Sequence, residues 1–76
     1  MKVIKQEKDR FLKKFGKQIQ KARQETKISQ EELADLVGIN RTYMGRIERG
    51  ISNPPIFTVF KIKKSINNQS ATANLI

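Results

Sequence analysis

Two absences define the chemistry open to this chain: its 76 residues include no histidine and no cysteine. The commonest general bases and nucleophiles are therefore missing, as are the imidazole and thiolate donors of a zinc site. Glu31, Glu32 and Asp35 bring three carboxylates together on one short stretch. No other ligand type stands beside them, and helix capping and solvation account for them without a metal. The expectation is a non-enzymatic protein with no metal, no cofactor and no small-molecule substrate. A second set of polar residues is more suggestive: Gln30, Asn40, Arg41, Thr42, Tyr43, Arg46, Arg49, Ser52 and Asn53. Side chains of these types bond phosphate oxygens and base edges. An Arg can bridge guanine O6 and N7, and a Thr methyl can contact thymine.

Charge supports that direction. The formal net charge is +9 and the pI about 10.3, which favours a polyanionic partner, either nucleic acid or an anionic membrane face. Residues 1–27 carry ten basic and three acidic groups, residues 28–53 three and four, and residues 54–76 only Lys61, Lys63 and Lys64. The positive field thus comes from the flanks, and the middle third must recognise by shape and hydrogen bonding. Membrane-surface binding needs a broad exposed apolar face, whereas Phe15, Ile19 and Ala22 are needed for a core. No apolar run approaches the roughly 18 residues of a membrane span. The stretch from Met1 to Lys8 lacks the apolar segment of a signal peptide. A cytoplasmic location is expected, and the absence of cysteine fits a reducing compartment.

The elements that must position these residues are all helical. Phe11, Leu12, Phe15, Ile19 and Ala22 recur at three- and four-residue steps and predict a helix over residues 10–26. Gly16 within it is a cost of about 1 kcal/mol relative to Ala. Residues 1–9 form a flexible basic N-terminus, frayed or at most an extension of that helix. Ser29-Gln30-Glu31-Glu32 is a capping box and opens a second helix over 30–37, with Leu33, Ala34 and Val37 inward and Gly38 closing it. Asn40 caps a third helix over 41–49 with Met44 and Ile47 inward, and Gly50 stops it. Asn53-Pro54 reads as an N-cap followed by Pro at the first helical position. The fourth helix then runs to about Ile66 and buries Ile56, Val59, Ile62 and Ile66, with Phe60 nearby. Residues 67–76 are a polar tail or a short fifth helix. The chain is one domain, 10–66, between two tails.

Within it, residues 30–49 have the joint pattern of a helix-turn-helix. Two helices crossing steeply over a short turn need a small residue at the crossing, a residue free to take positive φ in the turn, and apolar anchors on both helices. Ala34, Gly38, and Leu33, Val37, Ile39, Met44 and Ile47 supply these. Each taken singly is merely core, and the information lies in the spacing.

The runs Phe15-Gly16-Lys17-Gln18-Ile19, Ala22-Arg23, Ile28-Ser29-Gln30-Glu31-Glu32-Leu33-Ala34, Gly38-Ile39, Ile47-Glu48-Arg49-Gly50 and Asn53-Pro54 resemble the lambda-repressor-like, Cro-type (Xre) DNA-binding domain. The resemblance covers about residues 11–66. Asn40-Arg41-Thr42-Tyr43-Met44 followed by Ile47-Glu48-Arg49-Gly50 is similar to the small controller proteins of restriction-modification systems, which are single-domain dimers that regulate their own operon. The resemblance implies an all-α, compact four- or five-helix fold whose third helix enters the major groove, with a dimer on two half-sites about 34–36 Å apart. It also implies a phosphate grip at Gln30 and a structural ion pair between Arg23 and Glu48, two positions that match the family's.

The residues themselves agree with this. With Met44 and Ile47 inward, 100° per residue places Thr42, Gly45, Arg46 and Arg49 on the opposite face. Arg41, Thr42 and Arg46 are the expected base readers. Gln30, Asn40, Tyr43, Arg49, Ser52 and Asn53 are the expected contacts to the DNA backbone, although Asn40 and Asn53 are caps in any case and Tyr43 could simply be packed. Lys13, Lys14, Lys17 and Lys21 are either a solvated face or a source of phosphate attraction. Three places depart from the family pattern. Lys27 stands where Gly is frequent, Lys63 replaces a small apolar residue, and the tail is poor in apolar residues. Either Ile66, Leu75 and Ile76 form a small interface with part of the fourth helix, or the dimer forms elsewhere, or the domain is a monomer. A homodimer is the expectation. The reading is therefore a sequence-specific, double-stranded-DNA-binding transcriptional regulator, first of all a restriction-modification controller. The alternatives are a phage or mobile-element repressor, and an antitoxin that also binds a toxin.

Overall fold

A computed structural model describes residue 2 and residues 4–69. It contains four helices: α1 (Lys5–Glu25), α2 (Gln30–Val37), α3 (Arg41–Arg49) and α4 (Ile56–Gln69). The helix-turn-helix lies where the pattern placed it, at α2 and α3. Ser29 Oγ accepts from the Glu32 N–H at 2.9 Å, and the Ser29 N–H donates to Glu32 Oε1 at 2.7 Å. The bond from the Ser29 N–H, and after it the Ser29 side chain, hold the Glu32 carboxyl below its ordinary range. Asn40 Oδ1 accepts from the Tyr43 N–H at 2.7 Å and starts α3. Between the helices Gly38 takes φ +85°, and its N–H and that of Ile39 return to the Ala34 carbonyl. Leu33, Ala34, Val37, Met44 and Ile47 are all buried, and they join Ile19, Ile62 and Ile66 in one core. α3 packs on α1 and α2, and α4 also packs on those two helices.

Of the two readings left open for the N-terminal stretch, the extension holds for residues 5–9, and several other expectations are corrected. Helix α1 begins at Lys5, so residues 5–9 extend it, and a Lys5–Asp9 pair one turn apart spans the added turn at 3.2 Å. Phe11 does not turn inward: it is 68% exposed, and Leu12 takes the buried position. Helix α4 starts at Ile56, with the Pro55 carbonyl accepting from the Val59 N–H. Asn53 is thus too early to be its N-cap, and Ile56, in the first turn, is 83% exposed. At the other end α4 continues through Asn67–Gln69. Ile66 is fully enclosed in the core, which removes it from any subunit interface. Leu75 and Ile76 lie outside the described residues.

The close crossing of α1 and α3 is set by glycines. A Cβ at Gly16 would lie 2.5 Å from the carbonyl oxygens of both Ile47 and Glu48. At Gly50, where φ is +77°, a Cβ would lie 2.5 Å from Lys13 Cα. The last turn of α3 is therefore seated directly on the α1 backbone.

Lys27 follows α1 at φ +62°, the one non-glycine residue with positive φ among the described residues. A side chain in that conformation costs about 1–2 kcal/mol, part of which glycine returns through its larger unfolded-state entropy. Lys27→Gly is expected to stabilise the domain by about 0.5–1 kcal/mol, which raises Tm by a few degrees in a domain of this size. Lys27→Ala should give no such gain. A thermal melt of the three proteins checks both.

Candidate nucleic-acid interface

The outer face of α3 carries Arg41, Thr42 and Arg46, all exposed. They are set by a helix whose inner residues Met44 and Ile47 are fully buried, so their direction is fixed by packing. Gly45 on the same face is not open to solvent: it is covered by the side chains of Gln30 and Arg49. Gln30, Arg41, Thr42, Gly45 and Arg49 together line a shallow polar cavity of about 230 Å³.

Beneath this face lies a buried polar network. Arg23 Nε donates to Glu48 Oε2 at 2.8 Å, and Arg23 Nη2 donates to Glu48 Oε1 at 3.2 Å. Arg23 Nη1 also donates to the Ile28 carbonyl at 3.0 Å. Glu48 is only 4% exposed. Burying a carboxylate is costly unless opposite charge and hydrogen bonds compensate it, and the planar fork of Arg supplies both. The pair ties α1 to α3 and sets the α1–α2 turn. The positions match those expected for a structural ion pair. Gln30 joins the same carboxylate, with Nε2 donating to Glu48 Oε1 at 3.1 Å. The sequence reading missed that link because the two residues are eighteen positions apart.

The other expected backbone contacts are distributed around α3. Asn40 caps the helix through its side chain, Tyr43 is half-buried against the core, and Ser52 and Asn53 follow the helix on the connection to α4. On the flank of α3, Lys13, Lys14, Lys17 and Gln20 of α1 line a concavity of about 700 Å³ with Arg49 and Glu48. The lysine face of α1 therefore adjoins the end of α3. Among the described residues no group of three or more His, Cys, Asp or Glu side chains is arranged to hold a metal. No helix there is long and apolar enough to cross a membrane.

A helix-turn-helix with a cationic, exposed second helix anchored on a buried ion pair defines a class of DNA-binding domain. Residues 19–67 match the family model described as helix-turn-helix. A crystal structure of the restriction-modification controller protein C.AhdI from Aeromonas hydrophila superposes with a TM-score of 0.72 at 36% identity, covering 74% of this chain and 81% of that one. The control protein C.SmaI of Serratia marcescens is 40% identical over 40 residues, or 53% of this chain. The chain spans about half of that relative, 48% of its length. The chain belongs to the helix-turn-helix family, in the branch of the restriction-modification controller proteins.

Proposed function

We propose that this protein is a transcriptional regulator that occupies an operator as a homodimer and reads each half-site with α3 in the major groove. The observation that carries the reading is the outward set of Arg41, Thr42 and Arg46 on a helix whose opposite side is locked into the core. Arg41 at the helix start and Arg46 five residues on suit guanine, and Thr42 suits a thymine methyl. Asn40, Tyr43, Ser52 and Asn53 are the proposed backbone contacts beside them, with Lys13 and Lys17 of α1 adding phosphate attraction. The likeness to controller proteins, whose named role lies in restriction-modification, favours that sub-role over a phage repressor or an antitoxin. A regulator without turnover chemistry and a cytoplasmic site of action accord with the same reading.

Support for the homodimer comes from a surface other than that of Ile66, Leu75 and Ile76. Phe11, Ile56, Phe57 and Phe60 are all more than half exposed. Phe57 and Phe60 stack with centroids 5.8 Å apart, and Lys61 Nζ lies 5.5 Å from the Phe57 ring. The adjoining groove of about 310 Å³ is lined by Phe11, Leu12, Phe15, Pro54, Ile56 and Val59, among others. A small domain rarely leaves so much contiguous apolar surface to water without a partner. This surface shares no residue with the cavity on the face of α3 and meets the proposed DNA contacts only at Asn53, so two copies joined there keep both reading helices free. Replacing Phe57 and Phe60 together by Ser is expected to leave the helical content intact and convert a dimer to a monomer in sedimentation. A wild-type chain that sediments as a monomer at micromolar concentration would remove the dimer from the proposal.

Arg46→Ala is expected to weaken specific DNA binding by about 1–3 kcal/mol and relax the preference at one base pair. An equal loss on specific and random duplex would make Arg46 a phosphate contact instead.

A further inference from the structure

Helix α4 is charged with one sign only. It carries Lys61, Lys63 and Lys64 and no acidic side chain. All three lysines border the exposed aromatic surface. Lys61 Nζ stands 5.5 Å from the Phe57 ring, and Lys63 lines the same groove as Phe11, Ile56 and Val59. Lys64 is exposed and follows Phe60 by four residues, which places the two on one face. On α1 the polar neighbours of Phe11 at three- and four-residue steps are Glu7, Lys8 and Lys14. The border of the surface thus holds Lys8, Lys14, Lys61, Lys63 and Lys64 against Glu7 alone. Lys63 is the residue that replaces a small apolar one in the family pattern, so part of this charge belongs to this chain in particular.

A surface shared by two identical copies meets itself across a two-fold axis. Joining two copies here covers the rings of Phe57 and Phe60 and at the same time doubles the bordering charge. The apolar contact favours association, and the juxtaposed like charges oppose it. We propose that this lysine border makes self-association respond to ionic strength in the sense opposite to DNA binding. Salt shortens the Debye length from about 30 Å at 0.01 M to about 3 Å at 1 M. The lysines of the two copies are then screened from one another, and the dimer tightens. The same salt weakens the hold on DNA, which draws on counterion release. At protein concentrations too low to complete the dimer, the first effect offsets part of the second. The inference rests on the reading of the aromatic surface as the contact between copies.

The test is sedimentation equilibrium of the full chain without DNA at about 0.02 M and about 0.5 M sodium chloride. The proteins are wild type, a triple variant Lys61→Gln, Lys63→Gln, Lys64→Gln, and Lys64→Gln alone. Wild type is expected to dimerise about tenfold more tightly at the higher salt. The triple variant should already dimerise at low salt about as tightly as wild type does at high salt, with less than about a threefold change between the two. Lys64→Gln, an exposed change that does not threaten the fold, should show part of the same gain at low salt. A wild-type dimer that weakens with salt would mean that Glu7 pairs with a lysine of the other copy, and it overturns the inference. An undiminished salt effect in the variants overturns it as well, because salt would then be acting on the apolar rings. A dimer indifferent to salt overturns the inference and leaves the dimer standing. A wild type that is monomeric at both salts removes the dimer reading itself, an outcome distinct from the others.

Discussion

Glu48→Ala is expected to destabilise the domain by about 3–5 kcal/mol, because it strands the buried Arg23 guanidinium without its counter-charge. A domain of this size has only about 5 kcal/mol or so to lose, so the variant should be largely unfolded at physiological temperature. The loss comes less from the attraction of the pair than from leaving one charge desolvated and unpaired. That distinction can be measured. The double variant Arg23→Met, Glu48→Leu removes both charges while keeping apolar bulk, and it should recover most of the stability. Its DNA preference should nonetheless be impaired, since Gln30 then lacks the acceptor that orients it. Urea unfolding of the two single variants and the double variant closes the cycle. A loss below about 1 kcal/mol for Glu48→Ala would mean that the pair is hydrated in solution.

The second large effect concerns a residue with no polar group at all. Gly16→Ala should cost about 2–4 kcal/mol, although Ala favours the helix locally by about 1 kcal/mol. The added methyl would meet the Ile47 and Glu48 carbonyl oxygens at 2.5 Å. Those oxygens belong to the α3 backbone and cannot swing aside as a side chain would. Helix α3 must therefore move off α1, loosening Met44, Ile47 and the Arg23–Glu48 pair together. Gly45→Ala is the control: its methyl would meet only the ends of the Arg49 and Gln30 side chains, at 3.2 and 3.4 Å. It should change stability little and DNA preference more. A Gly16→Ala protein as stable as wild type in a urea melt would show that the helices do not approach so closely.

These two residues show why parts of the fold were legible in the sequence and others were not. Capping boxes and apolar spacing are local codes, and Ser29, Asn40, Gly38 and the inner residues of α2 and α3 fall where those codes put them. Gly16 looked like a flaw in a helix because its purpose is a contact with residues more than thirty positions away. The exposed positions of Phe11 and Ile56 have the same origin. A three- and four-residue period marks an apolar stripe but not which edge of the stripe the rest of the molecule covers, and here the helices cover Leu12, Ile62 and Ile66 instead. Asn53-Pro54-Pro55 carries a start signal, but with two prolines in succession the helix begins after the second. At the candidate interface, the outward direction of Thr42 and Arg46 followed from helix periodicity alone, and Arg41 was legible from its place at the helix start. The coupling of Gln30 to Glu48 could not, because it depends on where α2 crosses α3.

The most direct test of the account is selection of the purified wild-type chain against random duplex DNA at near-physiological salt. The account predicts enrichment of an inverted repeat whose half-site centres lie about one helical turn apart, with guanines placed for Arg41 and Arg46. Binding that is salt-sensitive but enriches no sequence would contradict it, leaving a basic domain that attracts DNA without reading it.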